Sequence, residues 1–111
     1  MTPNKVIEKV DRLKPNPYNE EDKMGWINEL DGMVQRLVIQ SDKVEQYSYP
    51  EDMDKDLLIP PPFDDVYVLF LEAKIDYYNR EYANYNNSAM MFESQFSEYK
   101  KAYIREHQAR G

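Results

Sequence analysis

A chain of 111 residues with a net charge of -7 is long enough for one modest hydrophobic core and too short for two. Its charge repels phosphate backbones and anionic membrane surfaces, which argues against direct nucleic-acid or lipid binding. The lack of cysteine removes disulfides, thiolate catalysis and Cys-based metal sites, and is consistent with a reducing compartment.

Hydrophobic residues make up 41% of the chain and aromatics 14%, which predicts a folded protein. A mean hydropathy of -0.87 means its core is thin. The ten tyrosines reconcile the two, because a ring with a hydroxyl suits half-buried stripes and subunit contacts. The first residues, Met1 to Lys5, have no apolar run of a secretory signal, so none is expected. The longest apolar run, Val66 to Leu71, falls far short of the roughly 20 residues that span a bilayer.

Thr2 before Pro3 reads as an N-cap and first-turn proline, opening a helix over 3–14 in which Val6, Ile7, Val10 and Leu13 mark one face. Pro15 and Pro17 stop it and make 14–18 an extended or turn linker. Asn19 caps a second helix over 20–39, with Glu20, Glu21 and Asp22 at its positive end. Its inner face is Trp26, Ile27, Leu30, Val34 and Leu37. Gly25 and Gly32 lie opposite that face and would let another backbone approach, so with Tyr77 they are candidate subunit contacts.

Residues 41–62 break the helical pattern. They hold Asp42, Glu45, Glu51, Asp52, Asp54 and Asp56 against Lys43 and Lys55, more than half of the net charge. A connection of this length in a small domain is usually functional or partly disordered. Leu57, Leu58 and Ile59 are expected to return to the core, and Pro60-Pro61-Pro62 to form a stiff polyproline lead-in.

A central helix is expected over 64–86, capped by Asp64, with Tyr67, Leu71, Ile75, Tyr78, Tyr82 and Tyr85 on one stripe. Val66, Leu69, Phe70 and Ala73 fill the opposite side of its first turns, so that half must be covered from both sides. Asp76 and Arg80 would pair on its outer face. Asn86-Asn87 ends it and Ser88 caps a last helix over 88–107, where Phe92, Phe96, Tyr99 and Tyr103 form the matching stripe. The end of the chain is basic, with Lys100, Lys101, Arg105 and Arg110.

The chemistry of known sites finds little here. Asp52, Asp54 and Asp56 copy the first ligands of an EF-hand loop, yet Leu57 stands where that loop needs Gly and Phe63 where it needs a bidentate Glu. His107 has no companion ligand. Three glycines supply no dinucleotide, P-loop or serine-hydrolase motif. The sequon Asn86-Asn87-Ser88 falls at a helix turn in a chain without a signal. No catalysis, metal or cofactor is expected.

Pro62-Phe63-Asp64-Asp65-Val66-Tyr67, leading into Ile75-Asp76-Tyr77-Tyr78-Asn79 and then Tyr85-Asn86-Asn87-Ser88 with Phe92 beyond, resembles the small helical head-tail connector proteins of tailed phages. These are also called head-completion or adaptor proteins, and the variant is one common in prophages of Gram-positive bacteria. Leu13-Lys14-Pro15-Asn16 and Trp26-Ile27-Asn28-Glu29-Leu30-Asp31 extend the resemblance more loosely, whereas 41–56 has no counterpart. The resemblance implies a structural virion protein at the head-tail junction, made in the bacterial cytoplasm. It would join a ring, twelve-fold like the portal, that contacts the portal on one side and the next connector or the tail on the other, without a cofactor.

The expectation is therefore an all-α, four-helix single domain over 1–111. It is built on a C-terminal antiparallel helix hairpin, and an acidic loop serves as a channel-lining or partner-facing surface. The basic end, Lys100 to Arg110, is the candidate portal-docking segment. The rival is a small acidic regulator, a DNA mimic that occupies a basic protein surface.

Overall fold

The structure, a computed structural model, describes residues 1–108. Among these the chain is all-helical, with α1 Pro3–Leu13, α2 Glu20–Met33, α3 Asp65–Tyr78 and α4 Tyr82–Gln108, and it has no strand. The Thr2 hydroxyl accepts from Lys5 N–H at 3.3 Å and Asn19 Oδ1 from Asp22 N–H at 2.8 Å, so two of the helix starts use side-chain oxygens on orphan donors. At about 1.5 Å per residue, the 27 residues of α4 account for most of the 47 Å long axis.

Helix α3 is the centre. It buries Val66, Tyr67, Val68, Leu71, Ala73, Ile75 and Asp76, and α1, α2 and α4 all pack on it, as a helix apolar nearly all round requires. Against α4 the aromatic pairs of α3 and of the turn before it run in opposite senses along the chain: Phe63 with Tyr99 at 6.0 Å between ring centroids, Phe70 with Phe92 at 5.1 Å, Tyr77 with Tyr85 at 5.6 Å. On α4 the stripe Phe92, Phe96, Tyr99 and Tyr103 is continued by His107, stacked on Tyr103 at 3.8 Å.

The turn between α3 and α4 lies seven residues earlier than Asn86-Asn87. Arg80 adopts the left-handed region at φ 60; its N–H donates to Tyr77 C=O at 3.1 Å and Glu81 N–H to Asp76 C=O at 2.9 Å. That pair of bonds is a Schellman motif with arginine in the position glycine usually takes. Because the helix stops there, the stripe fails beyond Ile75: Tyr78 is 52% and Tyr82 57% exposed. Asn86 and Asn87 are exposed inside α4, and Ser88 is no cap but donates to Asp76 Oδ2 at 3.2 Å. Asp76, expected outside with Arg80, is fully buried.

Three smaller expectations also change. Asp64 makes no cap bond. Phe63 N–H donates to Pro60 C=O at 2.9 Å, so the proline run is a turn and not an extended lead-in. Leu37 points outward at 64% exposure, because α2 continues into a π-helical turn, Val34–Val38, where Ile39 N–H reaches back five residues to Val34 C=O. The wider turn shifts every later side chain around the axis. In the returning segment Leu57 and Ile59 are buried, while Leu58 is 39% exposed.

Candidate interaction surface and the network beneath it

The acidic stretch lies along α2 and is held there by side chains of that helix. Asn28 uses both ends of its amide on Tyr47: Nδ2 donates to the C=O at 3.0 Å and Oδ1 accepts from the N–H at 2.7 Å. Gln35, two turns on, does the same to Glu45 at 2.8 and 2.7 Å. Two amides seven residues apart thus stand in for the backbone of a neighbouring strand. Gly32 lies between them, and a Cβ there would meet Val44 Cγ1 at 3.5 Å. Gly32 therefore faces the chain's own loop.

Beneath the loop sits Asp31, 1% exposed. Its Oδ1 accepts from the Tyr67 hydroxyl at 2.6 Å; its Oδ2 accepts from the Tyr47 hydroxyl and from Leu58 N–H at 3.3 Å. The Tyr67 hydroxyl in turn accepts from Ile59 N–H at 2.9 Å. One carboxylate and one phenol thereby tie both ends of the loop to α2 and α3. Burial pushes the Asp31 carboxyl above the usual carboxylate range, against the lowering effect of its three donors. Burial, with Asp31 opposite, also drives the Tyr47 and Tyr67 hydroxyls well up, so both remain protonated donors.

A second buried group joins the helices at the other end of α3. Asp76 Oδ1 accepts from Lys14 Nζ at 2.5 Å. Lys23, 2% exposed, donates to Asp11 Oδ1 at 2.6 Å and to Tyr18 C=O at 2.8 Å. Asn16 Nδ2 donates to Asp11 Oδ1 at 3.0 Å, and the Tyr18 hydroxyl donates to Asn79 Oδ1 at 2.8 Å. Trp26 stacks on Tyr78 at 5.8 Å with Tyr18 edge-on at 5.6 Å. Burial also raises the nearby Glu72 carboxyl, with Lys14 opposing the rise.

The predicted surface residues do not converge on one spot. Asp42, Glu45, Glu51, Asp54 and Asp56 are exposed. Asp52 Oδ2 accepts from Ser48 N–H at 2.7 Å within the loop, and Asp54 Oδ1 accepts from Asn4 Nδ2 at 2.7 Å, which ties the loop to α1. On α4, Lys100 lies over the Phe96 ring at 5.2 Å, Lys101 pairs with Glu98 at 3.6 Å, and Arg105 is exposed. Arg110 lies outside the described residues. Burial raises the Tyr99 hydroxyl to about 12.

Tyr77 is 52% exposed beside Tyr78 and Tyr85. With Tyr82 it adds to the apolar surface near the α3–α4 turn, while Met90 and Met91 are exposed farther along α4 at 71% and 54%. Gly25 is exposed, and a Cβ added to it would meet nothing within 4 Å. Gly25→Ala is therefore expected to stabilise the fold by about 0.5 to 1 kcal/mol, read as a higher urea midpoint. A lower one would mean that another surface packs there.

Asp31 and Asp76 were the residues the patterning missed. Both carried a signal, since Asp31 falls four residues after Ile27 and three before Val34, and Asp76 three after Ala73, which places each carboxylate on an apolar stripe. Among the described residues no cluster of three or more His, Cys, Asp or Glu could hold a metal ion, and no helix is long and apolar enough to cross a membrane. No protein-family model, curated protein or solved structure matches the chain.

Proposed function

We propose that this protein is a structural subunit of a phage head-tail connector, a ring component between the portal and the next connector or the tail. The observation that carries the reading is the meeting of segments that carry the resemblance. Lys14 of the first segment reaches Asp76 of the central one, Trp26 of the second stacks on Tyr78, and Ser88 of the stretch inside α4 closes on the same Asp76. Motifs spread over the chain thus form one packing unit. The exposed tyrosines around the α3–α4 turn and the exposed methionines farther along α4 suit subunit contacts, where aromatic residues and Met are enriched. In this reading the acidic loop is partner-facing, and Lys100, Lys101 and Arg105 supply the side toward the portal.

The test is quantitative mass spectrometry of density-purified particles from the source strain, comparing the copy number of this protein with that of the portal. Equal copy numbers are expected. Presence in the lysate with absence from particles would overturn the connector reading and favour an acidic regulator bound to a basic protein, for which the exposed carboxylates of 42–56 provide the surface.

A further inference from the structure

Helix α4 packs Phe92, Phe96, Tyr99 and Tyr103 on the core and turns its opposite face to solvent. On that face Met90 is 71% and Ile104 50% exposed, and Glu93, Lys100 and Lys101 are exposed. Met90, Ser97 and Ile104 follow one another at intervals of seven residues, so they share one stripe along the helix. Ser97, partly exposed, stands at its middle. Glu93 precedes it by four residues, and Lys100 and Lys101 follow it by three and four.

This stripe is its own complement when reversed. A second α4 turned end for end about Ser97 sets Ile104 on Met90 at one end and Met90 on Ile104 at the other. It also brings Lys100 and Lys101 of each copy beside Glu93 of the other. A serine at the crossing is small enough for two helices to approach closely, and an interval of seven suits a shallow crossing of about 20°.

We propose that the outer face of α4 is the docking surface for a second copy of this chain, with the two helices antiparallel across a twofold axis at Ser97. The order of the charges selects that sense. A parallel pair would set Glu93 against Glu93 and lysines against lysines, with the apolar residues matched as well as before. Within the chain, Lys101 is held only by Glu98 at 3.6 Å, between side chains 66% and 64% exposed, a link too solvated to compete. The net charge of -7 opposes the approach of two copies, but at physiological salt it is screened beyond about 8 Å, and the local match decides. A twofold contact closes on two copies, so it is not the contact that repeats round a ring. It belongs to the free chain and stands whether or not the protein is found in particles.

Because the chain has no cysteine, a single introduced thiol reports on one position. The test is disulfide cross-linking of full-length Ser97→Cys, Met90→Cys and Ile104→Cys chains at about millimolar concentration with oxidised glutathione, each alone and the last two mixed, the products being identified by mass. Ser97→Cys alone, and the mixed pair of Met90→Cys with Ile104→Cys, are expected to link about tenfold faster than Met90→Cys or Ile104→Cys alone. In the antiparallel pair those like positions lie roughly 21 Å apart, beyond the reach of a disulfide. Faster linking of Met90→Cys alone would mean a parallel pair, and equal rates throughout would mean random collision; either overturns the proposal. Glu93→Lys added to Ser97→Cys should slow its linking about fivefold, and Lys100→Glu with Lys101→Glu added to that chain should restore it. Linking unchanged by Glu93→Lys would overturn the charge match.

Discussion

Asp31→Ala is expected to lower the unfolding free energy by about 3 kcal/mol, measured as a fall in urea midpoint at constant slope. The carboxylate is the shared acceptor for the Tyr67 hydroxyl, the Tyr47 hydroxyl and Leu58 N–H. Of these donors, Tyr67 is fully buried and loses its acceptor outright. Tyr47 and Leu58 are partly exposed and can turn to water, so their share of the loss is smaller. A void in place of the carboxylate adds a further part. Against these stands the relief of a desolvated charge, which keeps the total from approaching the sum of three orphaned donors. Because the carboxylate holds both ends of the loop, amide exchange at Glu45 and Tyr47 should accelerate more than exchange in α3. Equal acceleration everywhere would mean that the loop has no independent opening.

The charge itself is tested by Asp31→Asn, which keeps the shape, and in which the Tyr47 hydroxyl can rotate to accept from the new amide. The folded carboxyl lies above its ordinary value of 3.8, so between these two values the folded chain holds a proton that the unfolded chain has released. Asp31 thus favours the fold most at acid pH, and that contribution is lost as pH rises through the folded value. The stability of the native chain relative to Asp31→Asn should therefore decline over that window and level off above it. Glu72 is shifted the same way and is present in both chains, so it cancels in the difference. A difference that rises with pH would mean that the three donors outweigh burial.

The parts of the fold that could be read from the sequence were those set by local chemistry. Thr2 and Asn19 announce two helix starts because a short polar side chain before a helical stretch has a specific bond to make. The stripe from Phe92 to Tyr103 was legible because it repeats at the helical period and faces one neighbour. The end of α3 was not, since the apolar period runs on through Tyr78, Tyr82 and Tyr85 while the backbone breaks at Arg80, a residue that gives no sign of a left-handed turn. Leu37 was misplaced for a related reason, because one wide turn at Val34–Val38 rotates the register and no single residue marks it. In the loop, net charge drew attention to the exposed carboxylates. The groups that hold it in place are Asn28, Asp31 and Gln35, polar residues of α2 that only tertiary contact explains.

Lys14→Ala should be about as damaging as the loss of Asp31, at about 3 kcal/mol, although it removes a residue that is itself partly exposed. The asymmetry lies in what remains. Asp76 has 0% side-chain exposure against 24% for Lys14, so deleting the lysine leaves a buried carboxylate with only the Ser88 hydroxyl at 3.2 Å. Deleting the charge on Asp76 instead leaves an ammonium that can reach water, and Asp76→Asn should cost about 1 kcal/mol. The double substitution Lys14→Ala with Asp76→Asn is then expected to be more stable than Lys14→Ala alone, since no buried charge is left unpaired. In the single variant the Glu72 carboxyl should also rise further, because Lys14 is the largest influence lowering it. Urea unfolding of the four chains gives the coupling directly. If the double variant were instead as unstable as the two single losses added together, the ion pair would contribute nothing as a pair. The junction of α1 and α3 would then rest on the packing of Val6, Val10 and Leu71. Rescue by Asp76→Asn would instead assign the pair a positional role, in which a lysine just past the end of α1 is held against the last turns of α3 and fixes where the linker 14–18 crosses.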